Sequence, residues 1–586
     1  MTASPGAMPP ARPTTPGAGH GYGHGHGHGH ADGVEVLILG AGINGAGVFR
    51  DLCAQGVRCL LVDKQDIGAG TSAASSRLIH GGLKYLETGE FGLVAQSTLE
   101  RNLLLKNAPH FVEPLPTLIP IFSWFGGIGA ALRTLAGSTT APRSRGAALI
   151  KIGLTIYDRY GSRDRTLPRH TLAGRRRTLA SLPALRTDIV AAGLYHDALI
   201  RSPERLVMEL VSDALHDCPA SGVATHTLLS SVSDGALTFR GADGEPFTVR
   251  PGIVVNAAGP WIDSVNARLG APTAWIGGTR GSHLLLRNDA LVAQLDGRMI
   301  YFEADDGRIC LVFDYLGLAL VGSTDIPADD PDEVRCEPPE TDYLLESVAA
   351  LLPGVEVQRD QIVYAYSGIR PLPVSDAANP GLISRDHSAP LIEPDAARPF
   401  PIVSLVGGKW TTYRGFAEEV TDDLLTRLGR KRKLGTRVLP IGGGRDFPVG
   451  DKARAGWLDA AARDTGLDRA RLDTLLTRYG TTARRVAAHA RRWSDADRLP
   501  DATSWSLAEI DRIVREELVV GLADVVMRRT TLAITGGVTR ADLEAIARVT
   551  GEALGWDEAR GVREVDDVIG LLAGRHMMGA LRLERT

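Results

Sequence analysis

Residues 34–39 form a short apolar run that ends in Gly40-Ala41-Gly42-Ile43-Asn44-Gly45, and a helix-like stretch over 46–55 follows and stops at Gly56. Together they predict a buried strand, a glycine turn and a helix. Three glycines in this context leave few folds open. The first permits a tight turn, the second lets backbone approach a pyrophosphate, and the third lets the helix pack on the strand. The phosphates then rest on the helix N-terminus. A second strand over 58–62 ends at Asp63, eighteen positions after Gly45, where a carboxylate can accept hydrogen bonds from a ribose hydroxyl pair. In a chain with 67 glycines the glycine pattern alone is a weak signal. Pattern, strands and acid together predict a dinucleotide site, and this spacing does not separate NAD from FAD.

Three distant segments favour a flavin. Residues 71–82, which include Thr71, Ser72, Ser76, His80, Gly81 and Gly82, are rich in hydroxyls and small side chains, so they can pass beside a flat cofactor while donating hydrogen bonds. Residues 254–261 read as a strand entering a small-residue turn at Ala258 and Gly259. Gly407-Gly408-Lys409 runs into Trp410-Thr411 and a helix, presenting backbone N–H groups and a cation to the electron-rich end of a reduced ring.

At 586 residues the chain exceeds what one core supports, so two or three packed units are expected. Further β-rich runs at 252–257, 308–313, 318–321 and 401–406 predict a mixed α/β region. After the glycine triplet at 442–444 the pattern turns to Ala, Leu, Arg and Asp at helical spacing, and a separate helical domain is expected over 440–586. Residues 1–33 are rich in Pro, Gly and His and are expected to be a disordered tail. They lack the apolar middle and cleavage site of a signal peptide. The five cysteines form no Cys-x-x-Cys pair, which argues against a zinc site or a disulfide framework. A cytoplasmic protein without a metal is expected, and a net charge of −4 gives no reason to expect nucleic acid.

The chain resembles the FAD-dependent, aerobic-type glycerol-3-phosphate dehydrogenase family. The matching stretches are the 40–45 fingerprint, SSRLIHGGLKYLE at 75–87, VNAAGPWID at 255–263, GSHLLL at 281–286, VGSTD at 321–325, YSGIRPL at 366–372 and VGGKWTTYR at 406–414. Asp524-Val525-Val526-Met527-Arg528-Arg529-Thr530 is similar to that family's C-terminal signature. The resemblance implies a glutathione-reductase-like FAD-binding Rossmann domain with an inserted mixed-sheet substrate domain and a C-terminal helical domain. Within 34–435 the FAD-binding segments are expected at about 34–83, 195–275 and 360–425, and the substrate-domain segments at about 84–194 and 276–359. Three positions depart from the family: Lys84 stands where Arg is usual, Asp63 where Glu is usual, and Ser202-Pro203-Glu204-Arg205 where Asp-Asp-Ala-Arg is usual.

The implied activity is oxidation of sn-glycerol 3-phosphate to dihydroxyacetone phosphate by hydride transfer to a noncovalent FAD, with a quinone-type acceptor. Such chemistry needs cations for a dianionic phosphate, a group that accepts the hydroxyl proton, and a cofactor that takes the hydride. Arg370, in the Gly- and Pro-bent Ser367-Gly368-Ile369-Arg370-Pro371, offers a planar fork for phosphate, and Lys409 offers a point charge. Lys84, Tyr85 and Thr411 complete the expected substrate cradle. Arg370 paired with a carboxylate, and Lys409 merely solvated, is the competing reading. His80 and His283 are the candidate bases, since imidazole titrates near neutrality. His80 is favoured, with His283 as a substrate contact. Asp325 is expected beside the cofactor, where it can orient either histidine.

An oxidase using oxygen, or an enzyme of another hydroxy acid or amine, is the alternative within flavoenzymes, and a non-catalytic anion-surface binder is the alternative outside them. Expected partners are the substrate, a quinone, an anionic membrane surface reached from the cytoplasm, and a second copy of the chain in a homodimer. The membrane expectation rests on the uncharged run 114–132, followed by Arg143, Arg145, Lys151, Arg159, Arg163, Arg165, Arg169, Arg175, Arg176 and Arg177. Prolines and glycines break that run, so a spanning helix is not expected, and a core strand with a solvated loop is the competing reading.

Overall fold

The computed structural model describes residues 33–86, 89–126, 146–162, 164–304, 306–328, 330–374, 386–489 and 493–579. All but the last residue of the expected Gly/His tail lies outside them. The apolar run becomes strand β1 (Val36–Leu39), the glycine turn leads into helix α1 (Ile43–Ala54), and strand β2 (Cys59–Val62) lies parallel to β1 with Leu37 opposite Leu60. β1 pairs on its other side with the parallel strand Ile253–Asn256, and that strand with Ile402–Ser404. Gly222–Ala224 and Leu391–Ile392 complete a six-stranded sheet.

Every residue of β1 and β2 is buried, as a parallel sheet covered on both faces requires. Side chains alternate between two cores. Val36, Ile38 and Leu61 pack with Phe49 and Leu52 of α1 and with the helices Pro203–Asp217 and Tyr413–Arg427. Leu37, Leu39, Leu60 and Val62 face Phe239 and Phe247 of a small antiparallel sheet.

A second sheet of ten strands carries the other half of the α/β region. Two of its strands, Ala191–Ile200 and Ile362–Pro373, lie in segments that the sequence groups largely with the FAD unit. The reason is pairing at long range: Ala191–Ile200 runs antiparallel to Val112–Ile121, and Ile362–Pro373 runs antiparallel to Ile276–Leu286. That second register sets His283 opposite Tyr366 and Thr279 opposite Arg370. The first half of the uncharged 114–132 run is thus a core strand, and 127–132 lie outside the described residues.

The C-terminal region is helical from Asp451–Thr465 to Glu558–His576. Asp468, Ser506, Thr539 and Asp557 cap helix starts by accepting backbone N–H groups, and Gly466 and Gly555 close helix ends in the left-handed region. Its apolar face, including Ile510, Ile513, Val525, Leu543 and Leu572, covers Leu285, Phe313, Leu320 and Tyr364 of the ten-stranded sheet.

Buried ion pairs fasten this domain to the nucleotide unit. The Arg529 guanidinium donates to both Asp66 oxygens at 2.7 and 2.8 Å, and neither side chain has any exposure. Arg528 bridges Asp66 and Asp524, and Arg205 donates to both oxygens of Glu517 at 2.8 and 3.1 Å. Removing one partner of such a pair leaves an uncompensated buried charge. Asp66→Ala should therefore lower unfolding free energy by about 3–5 kcal/mol, read from the urea midpoint of the holoenzyme. A loss under about 1 kcal/mol would show that solvent reaches the seam.

Candidate active site

Gly40 has a φ of +113°, and a Cβ there would lie 2.5 Å from the carbonyl oxygen of Ala257, so only glycine fits between the two parallel strands. A Cβ at Gly45 would strike the carbonyl of Gly40, so that glycine lets α1 pack close to the turn. At Gly42 the nearest atom is Ser72 Oγ at 3.2 Å, and the glycine lines an open cavity. Ser72 Oγ accepts the Ile43 N–H at 2.9 Å, while no side chain at the Gly42 N-cap closes the helix start. The turn is open where a pyrophosphate would lie.

Asp63 lines the same cavity and accepts the Ala41 N–H at 2.6 Å and the Gln65 N–H at 2.8 Å, which fixes the carboxylate at the end of β2. Burial pushes its carboxyl up to about 6, against the opposing pull of those two bonds. The cavity, about 790 Å³, runs from this acid past Thr71, Ser72, Ser76, Ala258 and Gly259 to Gly407, Gly408 and Arg370. Gly407 and Gly408 have φ of +73° and +90°, and a Cβ on Gly407 would meet the Asp386 carbonyl at 2.5 Å. Bare backbone, a placed acid and continuous space fit an extended dinucleotide.

The same cavity collects the expected chemistry. His80, Tyr85, His283, Arg370, Lys409 and Thr411 all line it. Arg370 donates to the Thr324 carbonyl at 3.2 Å, Asp325 at 3.1 Å and Ser323 Oγ at 3.0 Å. Lys409 stands 3.6 Å from the Tyr85 ring centre and donates to Ser97 Oγ at 3.1 Å. The His80 N–H is held by Thr411 Oγ1 at 3.2 Å. His283 stacks on Tyr366 at 4.9 Å, and its Nε2 lies 2.8 Å from Ser76 Oγ. Burial, then the charges of Arg370 and Arg77, hold its imidazole down to about 3, so it is neutral throughout the physiological range.

Other sequence-derived residues stand back from the lining: Gly45, Gly81, Gly82, Lys84 and Asp325. Gly81 and Gly82 lack room for a Cβ because Tyr157 and Tyr85 pack against them, so packing already demands glycine there. Asp325 pairs with Arg370 at 3.1 Å. This is the carboxylate partner of the competing reading for Arg370, and the guanidinium still faces the cavity. Glu204 and Arg205, from the segment that departs from the family pattern, are both buried, in bidentate pairs with Arg77 and Glu517. Sequence reasoning missed Ser323 and Tyr366 as supports of Arg370 and His283. The strand register reveals Tyr366, and the side-chain hydrogen bond from Arg370 reveals Ser323.

The fold and this cavity define an FAD-dependent oxidoreductase. Residues 35–421 match the family model described as FAD dependent oxidoreductase, and residues 434–561 match the C-terminal domain of alpha-glycerophosphate oxidase. A Synechocystis protein named glycerol-3-phosphate dehydrogenase is 30% identical over 556 residues, covering 91% of this chain and 95% of the relative. Glycerol-3-phosphate dehydrogenase 1 of Mycobacterium tuberculosis is 30% identical over 546 residues, covering 89% and 95%. A Brucella abortus protein named D-erythritol 1-phosphate dehydrogenase is 31% identical over 399 residues, covering 66% and 72%. The structure of glycerol-3-phosphate dehydrogenase from Bacillus halodurans complexed with FAD superposes with a TM-score of 0.71 at 22% identity, covering 93% and 96%, which shows a shared fold. This chain belongs to the FAD-dependent glycerol-3-phosphate dehydrogenase family, and its cofactor is FAD.

We propose that Asp63 accepts both ribose hydroxyls of FAD, for which its carboxylate must be ionised; burial raises its carboxyl to about 6. FAD binding should therefore strengthen as pH rises from 5 to 8, by about tenfold, with a plateau above 7. Flavin-quenching titrations of the stripped enzyme measure this. Asp63→Asn should bind weakly at all pH values and lose the dependence; an unchanged slope in that variant would assign the titration elsewhere.

Proposed function

We propose that the enzyme oxidises sn-glycerol 3-phosphate to dihydroxyacetone phosphate and passes the electrons to a quinone-type acceptor. The observation that carries the substrate is that Arg370, Lys409 and His80 line the same cavity as the dinucleotide fingerprint. FAD, when bound, supplies the hydride acceptor for the carbinol carbon.

The protein's own part is charge, orientation and a proton acceptor. The Arg370 fork, steadied by Ser323, Thr324 and Asp325, presents planar donors suited to phosphate. Lys409, held above Tyr85, adds a second positive charge. His80 accepts the hydroxyl proton. His283 serves as a neutral hydrogen-bonding contact, since an imidazole that protonates only near 3 is a poor acceptor for an alcohol proton at neutral pH. Gly81, Gly82 and Lys84 act from behind the lining, by shaping the segment that carries His80 and Tyr85. A longer polyol phosphate is the second reading, because the relative named for D-erythritol 1-phosphate has a comparable identity, 31%, over a shorter match of 399 residues.

The test is an anaerobic absorbance spectrum. Glycerol 3-phosphate should bleach the flavin fully and faster than D-erythritol 1-phosphate; the reverse order would favour the second reading, and no bleaching with either would overturn both. Hydrogen peroxide released stoichiometrically in air would replace the quinone with oxygen. Arg370→Ala should lose about 2–5 kcal/mol in kcat/KM with flavin content retained, and proportionally much less with glycerol. Equal losses on both compounds would remove the phosphate from Arg370.

We further propose that the enzyme works on the anionic inner face of a membrane. No helix among the described residues is long and apolar enough to cross one. Yet Trp124 and Phe125 are 56% and 76% exposed, packed beside the start of the helix Ala147–Tyr160, and that helix exposes Lys151 and Ile152. Arg175, Arg176 and Arg177 are exposed at the end of the edge strand Thr171–Gly174, which itself exposes Leu172. Arg143, Arg145 and Arg163 lie outside the described residues. Apolar tips ringed by cations suit burial at an interface, with about 1 kcal/mol of attraction per basic residue. The protein should float with anionic liposomes at low salt and lose this when Arg175, Arg176 and Arg177 become Ser together. Equal recovery with neutral vesicles would defeat the electrostatic part.

A further inference from the structure

Behind the active-site lining, three elements bring together a cluster that the reaction itself does not use. The helix Phe91–Asn107 contributes Arg101, the helix Ala147–Tyr160 contributes Tyr157, and the strand Ala191–Ile200 contributes Asp197. All three are buried, each at 3% exposure or less. Asp197 Oδ1 accepts from Tyr157 OH at 2.5 Å, from Arg101 at 2.8 Å and from the Gly81 N–H at 3.1 Å. The Tyr157 oxygen accepts the same Gly81 N–H at 2.9 Å and an Arg101 N–H at 3.0 Å. Burial, reinforced by the Asp197 charge, pushes the Tyr157 phenol well above its usual range, so its proton stays in place as a donor to Asp197.

This is more than one glycine amide needs. A single acceptor satisfies a buried N–H, whereas here two converge on it, one carrying a charge that Arg101 compensates. On the other side of His80, its own N–H is tied to Thr411. Both amides that flank the His80 Cα are therefore fixed, and a Cβ at Gly81 would strike the Tyr157 hydroxyl, so the segment cannot slide inward. Polar clusters of this kind rigidify what they hold when every member is satisfied.

We infer that Arg101, Asp197 and Tyr157 are positioning residues for the proton acceptor: they hold the His80–Gly81 peptide so that the imidazole meets the substrate hydroxyl. The inference rests on His80 as that acceptor. Proton transfer requires placement within a few tenths of an ångström, so loosening this peptide slows turnover and leaves phosphate binding by Arg370 and Lys409 intact. An Asp197→Ala change strands the Arg101 charge in the interior and threatens folding. Tyr157→Phe is the informative variant, because it keeps the ring packing and the Arg101–Asp197 pair while removing the hydroxyl that accepts from Gly81 and Arg101 and donates to Asp197.

The test combines kinetics with hydrogen exchange on the holoenzyme. Tyr157→Phe should keep parental flavin content and melting temperature, lower kcat about tenfold and leave KM for glycerol 3-phosphate within about twofold. Amide exchange in the peptide covering 79–84 should be faster than in the parent. In the His80→Ala background the same change should cost nothing further, as expected when one residue acts through another. An equal loss in both backgrounds, an unchanged kcat, or unchanged exchange at 79–84 would overturn the positioning role while His80 keeps its own. If His80→Ala itself retains full kcat, the acceptor role falls and the positioning role with it. If the parent enzyme fails to bleach with glycerol 3-phosphate, the substrate is wrong, and the exchange measurement alone decides whether the cluster holds this peptide.

Discussion

The buried contact between Arg529 and Asp66 joins two bodies that neither local pattern nor apolar burial would otherwise align. Asp66 stands three positions after Asp63, the acid that braces the fingerprint turn, so the helical domain is fastened within a turn of the cofactor cradle. The same helical domain supplies the apolar cover of the ten-stranded sheet. Two sheets that touch different parts of the cavity are thereby held in one relation by a shared partner. Charge is an expensive way to do this, because each ion gives up its water. What the ions add over an apolar seam is direction: a bidentate guanidinium accepts a carboxylate in one plane and at one depth.

The same device recurs towards the active site. Arg77 and Glu204 close a fully buried bidentate pair beneath the 71–76 segment, and the positive field that remains reaches His283. Burial, with the charges of Arg370 and Arg77 added, keeps that imidazole neutral at physiological pH. Arg370 is treated oppositely. Its fork is steadied by a carbonyl, a hydroxyl and a carboxylate that lie on the strand-to-turn segment after Leu318–Gly322, and it remains partly exposed to the cavity. A cation so braced loses little side-chain entropy when an anion arrives.

Much of the nucleotide half was legible because its signals are local. Strand, glycine turn, helix and acid lie within thirty residues, and each glycine answers to a steric demand that the turn itself imposes. The helical character of the last quarter was equally plain from spacing and capping residues. The limits of the substrate domain were not. Ala191–Ile200 and Ile362–Pro373 read as adjoining the nucleotide segments in sequence, yet their partners are strands of the other sheet. Nor did the pattern His196-Asp197-Ala198 carry any sign of chemistry, since a lone acid in an apolar strand acquires meaning only from the tyrosine and arginine that two helices bring to it.

In the sequence alone, the glycine turn of Gly40, Gly42 and Gly45 was legible through backbone sterics, and Asp63, Arg370, Lys409 and His80 stood out as candidates through side-chain chemistry. Only the tertiary structure decided their partners. Asp325 pairs with Arg370, Glu204 pairs with Arg77, and burial keeps the His283 imidazole neutral at physiological pH. The physical reason is range. Turn and helix geometry is set by neighbours a few residues away, whereas ion-pair choice and burial depend on strand registers that join residues far apart along the chain.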